Sequence, residues 1–227
     1  MYKIETIQKM MKKAMETKKF YMAKDAKDID ICISKGNQKI GKVMNISLMP
    51  IMTCGNCKEC KYLCYDVKAC IQYKNVIDAR IRNTVLLEKD RKEYFDRIEK
   101  AIQKRKSNKY FRWHVAGDII DLDYFENMVL IAKRHPDFIF WTYTKQYNIV
   151  NTFCEKYGKD EIPNNLKVMF SEWRGMAMIN PFRFPEFRVV FKDEVKPIGF
   201  YCLGNCDKCK ENNSGCIKGE TTYCLEH

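Results

Sequence analysis

No stretch of this sequence stays apolar over the roughly 20 residues that a bilayer-crossing helix needs, so no membrane-spanning helix and no membrane partner are expected. The opening residues, MYKIETIQKMMKKAMETKKF, carry charge but lack the apolar run and small-residue cleavage site of a secretory leader. A cytoplasmic setting is therefore expected. Internal repeats and low-complexity linkers are missing too, which removes solenoids and disordered scaffolds from consideration. Runs of Lys and Arg stay short, and the densest, Lys104-Arg105-Lys106, falls near a helix end where positive charge suits the helix dipole.

What is present is a chain of 227 residues, 46% hydrophobic, enough for one large domain with a small appendage. Its net charge of +12 attracts phosphates and makes a nucleic acid or nucleotide a candidate partner. A Lys-, Ile- and Asn-rich composition yields the same charge through solvated lysines, and both readings stay open. Twelve cysteines stand out. Without a leader they argue for metal rather than disulfides, and they bunch as metal ligands do. Only Cys32 and Cys154 lie outside two groups, Cys54 to Cys70 and Cys202 to Cys224.

Apolar spacing predicts an amphipathic helix over 3–22, a hairpin near 30–38 and a strand over 42–50 that delivers the chain to the first cysteines. A long helix is expected over 75–105. Strands over 110–116, 138–144, 166–171 and 188–192 then alternate with helices over 123–134 and 149–157. This alternation predicts parallel βαβ units in a barrel or open sheet, with the active face at the carboxyl ends of the strands. Three parts are expected: residues 1–41, an α/β body over 42–200 with a cluster loop at 54–64, and a Cys-rich tail over 201–227 that forms a small metal-binding lobe.

Cys54, Cys57, Cys60 and Cys64 give the spacing C-x2-C-x2-C-x3-C, the run that holds 4Fe–4S clusters in bacterial ferredoxins. Two intervening residues let the backbone turn so that neighbouring sulfurs face one centre. Ferredoxins place Pro after the fourth cysteine, whereas here Tyr65 follows, so a plain electron carrier is not expected. A four-thiolate zinc site is the alternative, although zinc more often draws two pairs across a longer loop. Cys70 reads as a small buried residue.

The order of strand, cysteine loop, helix and a strand ending at Gly117-Asp118 resembles that of radical S-adenosylmethionine enzymes. There a Gly-rich turn receives the amino group of the cofactor: the glycine permits close approach and the acid pairs with an ammonium. Cys60-x3-Cys64 matches the first interval of the superfamily motif, but no cysteine stands two residues beyond Cys64. Gly-Asp alone also serves as a turn and helix cap.

Cys60-Lys-Tyr-Leu-Cys64-Tyr65, Ala79-Arg-Ile-Arg-Asn83, Arg112-Trp-His-Val-Ala-Gly-Asp118, Phe140-Trp-Thr-Tyr-Thr-Lys145 and the cysteine-rich end resemble a phage and prophage family known as gene product 88. The resemblance runs from about residue 45 to the C-terminus. The chain is also similar to radical-SAM-like phage proteins with a Cys-Tyr pair closing the cluster loop. The resemblance implies a partial (β/α) barrel of radical-SAM type with a cluster at its mouth. Carried over residue by residue, it implies Cys57, Cys60 and Cys64 as cluster ligands with Cys54 as a fourth, and Gly117 and Asp118 as the amino-group site. Thr142, Thr144, Lys145, Ser171 and Glu172 fall at strand ends, where they could face cofactor or substrate; capping and solvation are their plain alternatives. His114 reads as a hydrogen-bonded core residue, and Tyr143 as barrel wall or a base-stacking surface. Arg80, Arg82 and Asn83 read as a solvated helix face, with phosphate contact as the alternative.

In the tail, Cys206-Asp-Lys-Cys209 is a zinc-type knuckle. Cys202 and Cys216 could complete it, with Cys224 or His227 as substitutes, and an auxiliary iron–sulfur cluster competes with zinc. Leu225-Glu226-His227 resembles the remnant of an affinity tag, which lowers the weight of His227. Three functions remain. One is a radical-SAM-like enzyme acting on a nucleotide, nucleic acid or peptide, which needs an electron donor as partner. The others are a metal-stabilised nucleic-acid-binding protein and a cluster-based redox sensor.

Overall fold

A computed structural model describes residues 2–55, 57 and 59–226, with the backbone alone at Glu59. They divide into two compact units, a helical one (2–33, 46–106 and 115–117) and a sheet-bearing one (34–45, 107–114 and 118–226).

In the helical unit α1 (Ile4–Met22) buries Ile7, Met10 and Ala14, as its apolar spacing requires. It is followed by α2 (Tyr65–Gln72), α3 (Lys74–Lys89) and α4 (Arg91–Gln103). α1 packs on α3, where Lys18 pairs with Glu88 at 2.7 Å and the Tyr21 hydroxyl donates to Asp78 at 2.7 Å. The long helix expected over 75–105 is thus two helices. Asp90 breaks it: its carboxylate accepts the Glu93 N–H at 2.9 Å and caps α4, so the acid starts a new helix instead of continuing the old one. Asn83 is no part of a solvated face. Wholly buried, it accepts the Cys32 N–H at 2.7 Å and donates to the Cys32 and Ser47 carbonyls at 2.9 Å each. Arg80 is bound to the buried Asp66 at 3.0 Å, and Arg82 to Asp78 at 3.0 Å.

The sheet-bearing unit contains β1 (Met44–Asn45), β2 (Tyr110–Arg112), α5 (Leu122–Arg134), β3 (Ile139–Thr144), α6 (Tyr147–Tyr157), β4 (Leu166–Glu172), β5 (Glu186–Val190), β6 (Phe200–Tyr201), α7 (Cys206–Asn212) and β7 (Thr222–Leu225). The class is mixed α/β. The seven strands form one open sheet, parallel at every pairing, in the order β1-β2-β3-β4-β5-β7-β6. β1 to β5 therefore lie in chain order. Thr142 and Thr144 share one face with Phe170, over which α5 and α6 pack through the Phe125–Phe153 and Tyr147–Phe170 contacts. Trp141, Tyr143 and Met169 occupy the opposite face.

Local chemistry shortens several expected strands. The hairpin near 30–38 reduces to single bridges, Ser34 with Asn45 and Asn37 with Gly41. The Asn37 side chain accepts the Lys39 and Ile40 N–H groups and makes a turn where strand pairing was expected. The strand over 110–116 stops at Arg112 because His114 takes a left-handed conformation, φ 51°. Beyond that turn Val115 and Ala116 exchange hydrogen bonds with Ile46 and Leu48, which likewise confines β1 to two residues. The tail contributes β7, inserted between β5 and β6, and its pairing was not expected. Among the described residues no helix is long and apolar enough to cross a membrane.

Candidate metal centres

The first cysteine group lies in the helical unit. The chain enters it through Ile51, a β-branched residue held at φ 73°, a strained value for such a side chain. This turn aims the Ile51 N–H at the sulfur of Cys54, 3.4 Å away. Cys57 and Cys60 have their sulfurs 3.9 Å apart. Cys57 also bonds to Cys54, and the two neighbouring thiols together with burial push its own far above the ordinary thiol range. Cys64 precedes α2, and burial raises its thiol to about 11 against the opposing pull of the Val67 and Asp66 N–H groups. All these cysteines are free of disulfides. Thiols crowded in this way resist ionisation unless a cation joins them, and metal binding would displace their protons. Cys70 is buried in α2 beside Asp66.

Gly117 belongs to the same unit. At φ 81° it lies so close to the cysteine loop that a Cβ there would sit 2.7 Å from the Thr53 hydroxyl and 2.7 Å from the Leu48 Cβ. The Tyr65 hydroxyl donates to the Val115 carbonyl nearby.

Asp118 opens the next stretch of the sheet-bearing unit. It is buried, and its oxygens accept the Ile119 N–H at 2.7 Å and the Lys145 N–H at 2.9 Å. Burial raises its pKa to about 6, and bonds from Thr144, Lys145 and Ile119 oppose the rise. The Lys145 ammonium in turn donates to the Ser171 hydroxyl at 3.1 Å. Three of the five expected strand-end residues, Thr144, Lys145 and Ser171, thus form one network with Asp118 at the carboxyl ends of β3 and β4. The other two are elsewhere. Thr142 is buried against His114 at 3.3 Å, and Glu172 pairs with Arg188 at 3.6 Å. His114 bridges Thr142 and Tyr124 and stays neutral, its pKa pushed down to about 3 by burial.

The second cysteine group occupies the sheet face opposite α5 and α6. Cys209 and Cys216 join Trp141, Met169, Val43 and Ile217 in one buried cluster, and Cys206 and Tyr143 pack against it. Asn205 caps α7, which sets Cys206 and Cys209 one turn apart on one side. β6 runs beside β7, and the Cys202 N–H reaches the Tyr223 carbonyl at 2.7 Å, next to Cys224. Burial raises the thiols of Cys206, Cys209 and Cys216, the last to about 11, and Cys202 acts on all three. A direct bond to Cys202 holds Cys224 well above the ordinary thiol range. Arg112, Tyr143 and Thr222 surround these sulfurs, and sequence reasoning gave them no such role. Nothing in their spacing marks them, because only the sheet register brings them here. His227 lies outside the described residues. Among the described residues no group of three or more His, Cys, Asp or Glu is placed to hold a single metal ion.

No curated protein and no solved structure matches the chain. The family model described as gene product 88 matches residues 12–218 of the 227, so the protein belongs to the gene product 88 family.

Proposed function

We propose that this chain is an iron–sulfur protein whose cluster is held by Cys54, Cys57, Cys60 and Cys64, and that it works as a radical-SAM-like enzyme on a nucleotide, nucleic-acid or peptide substrate. The observation that carries the reading is the crowding of Cys57 against both Cys54 and Cys60 in one loop with ferredoxin-like spacing. The donor set fits such a cluster, being all sulfur, free of disulfides and supplied with N–H dipoles. Ile51 directs its N–H to Cys54, and Asp66 and Val67 direct theirs to Cys64, which offsets negative charge on the thiolates. When bound, a cluster of this kind supplies single electrons.

Two features support the enzymatic part. β1 to β5 follow one another without the reversal of a doubly wound sheet, an order compatible with a partial barrel. Gly117 abuts Thr53, the residue before Cys54, as a cofactor-receiving turn beside the cluster loop would. Asp118 would hold an amino group only by releasing part of its present hydrogen bonding.

The test is reduced-state EPR of anaerobically purified protein with and without S-adenosylmethionine. A cluster signal that shifts on addition of the cofactor supports the enzyme. An unchanged signal removes the cofactor and leaves the cluster. The +12 charge favours a second reading, nucleic-acid binding without chemistry. It predicts affinity that falls by orders of magnitude between about 50 and 200 mM salt, and salt-insensitive binding would count against it.

A further inference from the structure

We propose that a notch beside the first half of β4 is a phosphate-binding site, built by Lys159, Lys167, Lys218 and the Val168 N–H. It lies at the other end of β4 from Ser171, and it depends on neither cysteine group.

Strand register makes the notch. β4 starts at Leu166, but β5 joins it only at Phe170, which pairs with Glu186. The first half of β4 therefore has a strand partner on the β3 side alone. The connection from β4 to β5 and the turn before β7 fill the gap only in part. They leave two adjoining cavities of about 410 and 490 Å³ that share Phe184, Pro185 and Gly219. The Phe170 N–H points to this side and reaches the Pro185 carbonyl at 2.8 Å. Alternation along the strand aims the Val168 N–H the same way, at a level where β5 has not begun.

The charges lining the notch do not cancel. Lys159, Lys167 and Lys218 line the 410 Å³ cavity with one carboxylate, Asp160. Lys218 is paired with Glu220 at 2.6 Å, and in the second cavity Arg183 is matched by Glu186. That leaves Lys159 and Lys167 against Asp160. The Lys159 ammonium donates to the Phe182 carbonyl at 2.7 Å. Lys167 is half-buried, and among the described residues it has neither a hydrogen bond nor an ion pair. Its stem runs beneath Gly219, where an added Cβ would stand 3.2 Å from the Lys167 Cδ. A half-buried ammonium without a counter-charge is costly, and a bound anion relieves that cost. Phosphate suits the place because its oxygens radiate, so ammonium groups from three separate segments and a backbone N–H can meet it together. The same group is offered by a free phosphate ester and by the backbone of a nucleic acid.

The test is lysine acetylation of the full-length protein, read residue by residue by mass spectrometry. The probes are inorganic phosphate, a short oligothymidylate and acetate, at matched ionic strength, with Lys104 at the end of α4 as the control. Acetylation of Lys167 should slow several-fold with phosphate or the oligonucleotide and stay unchanged with acetate, while Lys104 does not respond. Protection by phosphate identifies a free phosphate ester as the ligand, and protection by the oligonucleotide only identifies a nucleic acid. Failure of both probes to protect Lys167, equal protection by acetate, or equal protection of Lys104 overturns the assignment.

Discussion

Replacing Gly117 by alanine separates two meanings of this glycine, close approach of a cofactor and close packing within the helical unit. At φ 81° any L residue pays about 1–2 kcal/mol. The new methyl would also stand 2.7 Å from the Leu48 Cβ and the Thr53 hydroxyl, an overpacking that costs about 1–3 kcal/mol. Together these give about 2–5 kcal/mol, a large share of the 5–15 kcal/mol typical of a folded domain. With a urea slope of about 2–3 kcal/mol per molar, the midpoint should fall by roughly 1–2 M. Gly158→Ala is the internal control, since Gly158 has φ 93° but nothing within 4 Å of its absent Cβ. At ψ 145° Gly158 lies outside the left-handed helical region, and the variant should lose only the backbone part, about 1–3 kcal/mol. The assay is urea unfolding of the metal-free proteins followed by far-UV circular dichroism. Equal losses in the two variants, or a loss below about 0.5 kcal/mol for Gly117→Ala, would refute the packing argument.

Three further outcomes follow from the geometry. Asp118 has its pKa raised to about 6 in the fold against an unfolded value of 3.8, so the folded state binds its proton more tightly. The sign is therefore opposite to that of a salt-bridged acid: the stabilising contribution is complete below about pH 4 and is lost as pH rises through about 6, to a total near 3 kcal/mol. Asp118→Asn should flatten stability over that window, and a wild-type-like pH slope in the variant would contradict it. Asn83→Ala removes three hydrogen bonds that tie Cys32 and Ser47 to α3 and should cost about 2–4 kcal/mol by thermal or urea unfolding. Tyr143→Phe removes a donor to Cys216, whose thiol burial has already raised to about 11, so that thiol should rise further and react more slowly with a thiol reagent at about pH 8; an unchanged rate would deny the hydroxyl that role.

Periodic elements were legible in the sequence. The apolar spacing of α1 and α5 and the β-rich runs of β3 and β4 carry their structure in local composition, and each appears within a residue or two of its expected bounds. Elements set by a single side chain were not. Asp90 divides a helix by capping, His114 ends β2 by turning left-handed, and Asn37 replaces a hairpin with a side-chain turn. β7 was hidden because Thr222–Leu225 is short and carries no alternation; only the sheet gives it partners. The same division holds at the sites. Cysteine spacing marked both groups, whereas Arg112, Tyr143 and Thr222 reach the second group through register alone. Gly117 and Asp118 were identified as a pair, yet they sit in different units with different neighbours.

Counting iron and acid-labile sulfide in anaerobically purified protein decides whether Cys54 to Cys64 hold a cluster. About four of each per chain, abolished by Cys57→Ser, is the expected result. A wild-type protein that holds zinc at Cys54 to Cys64, or no sulfide at all, would contradict it.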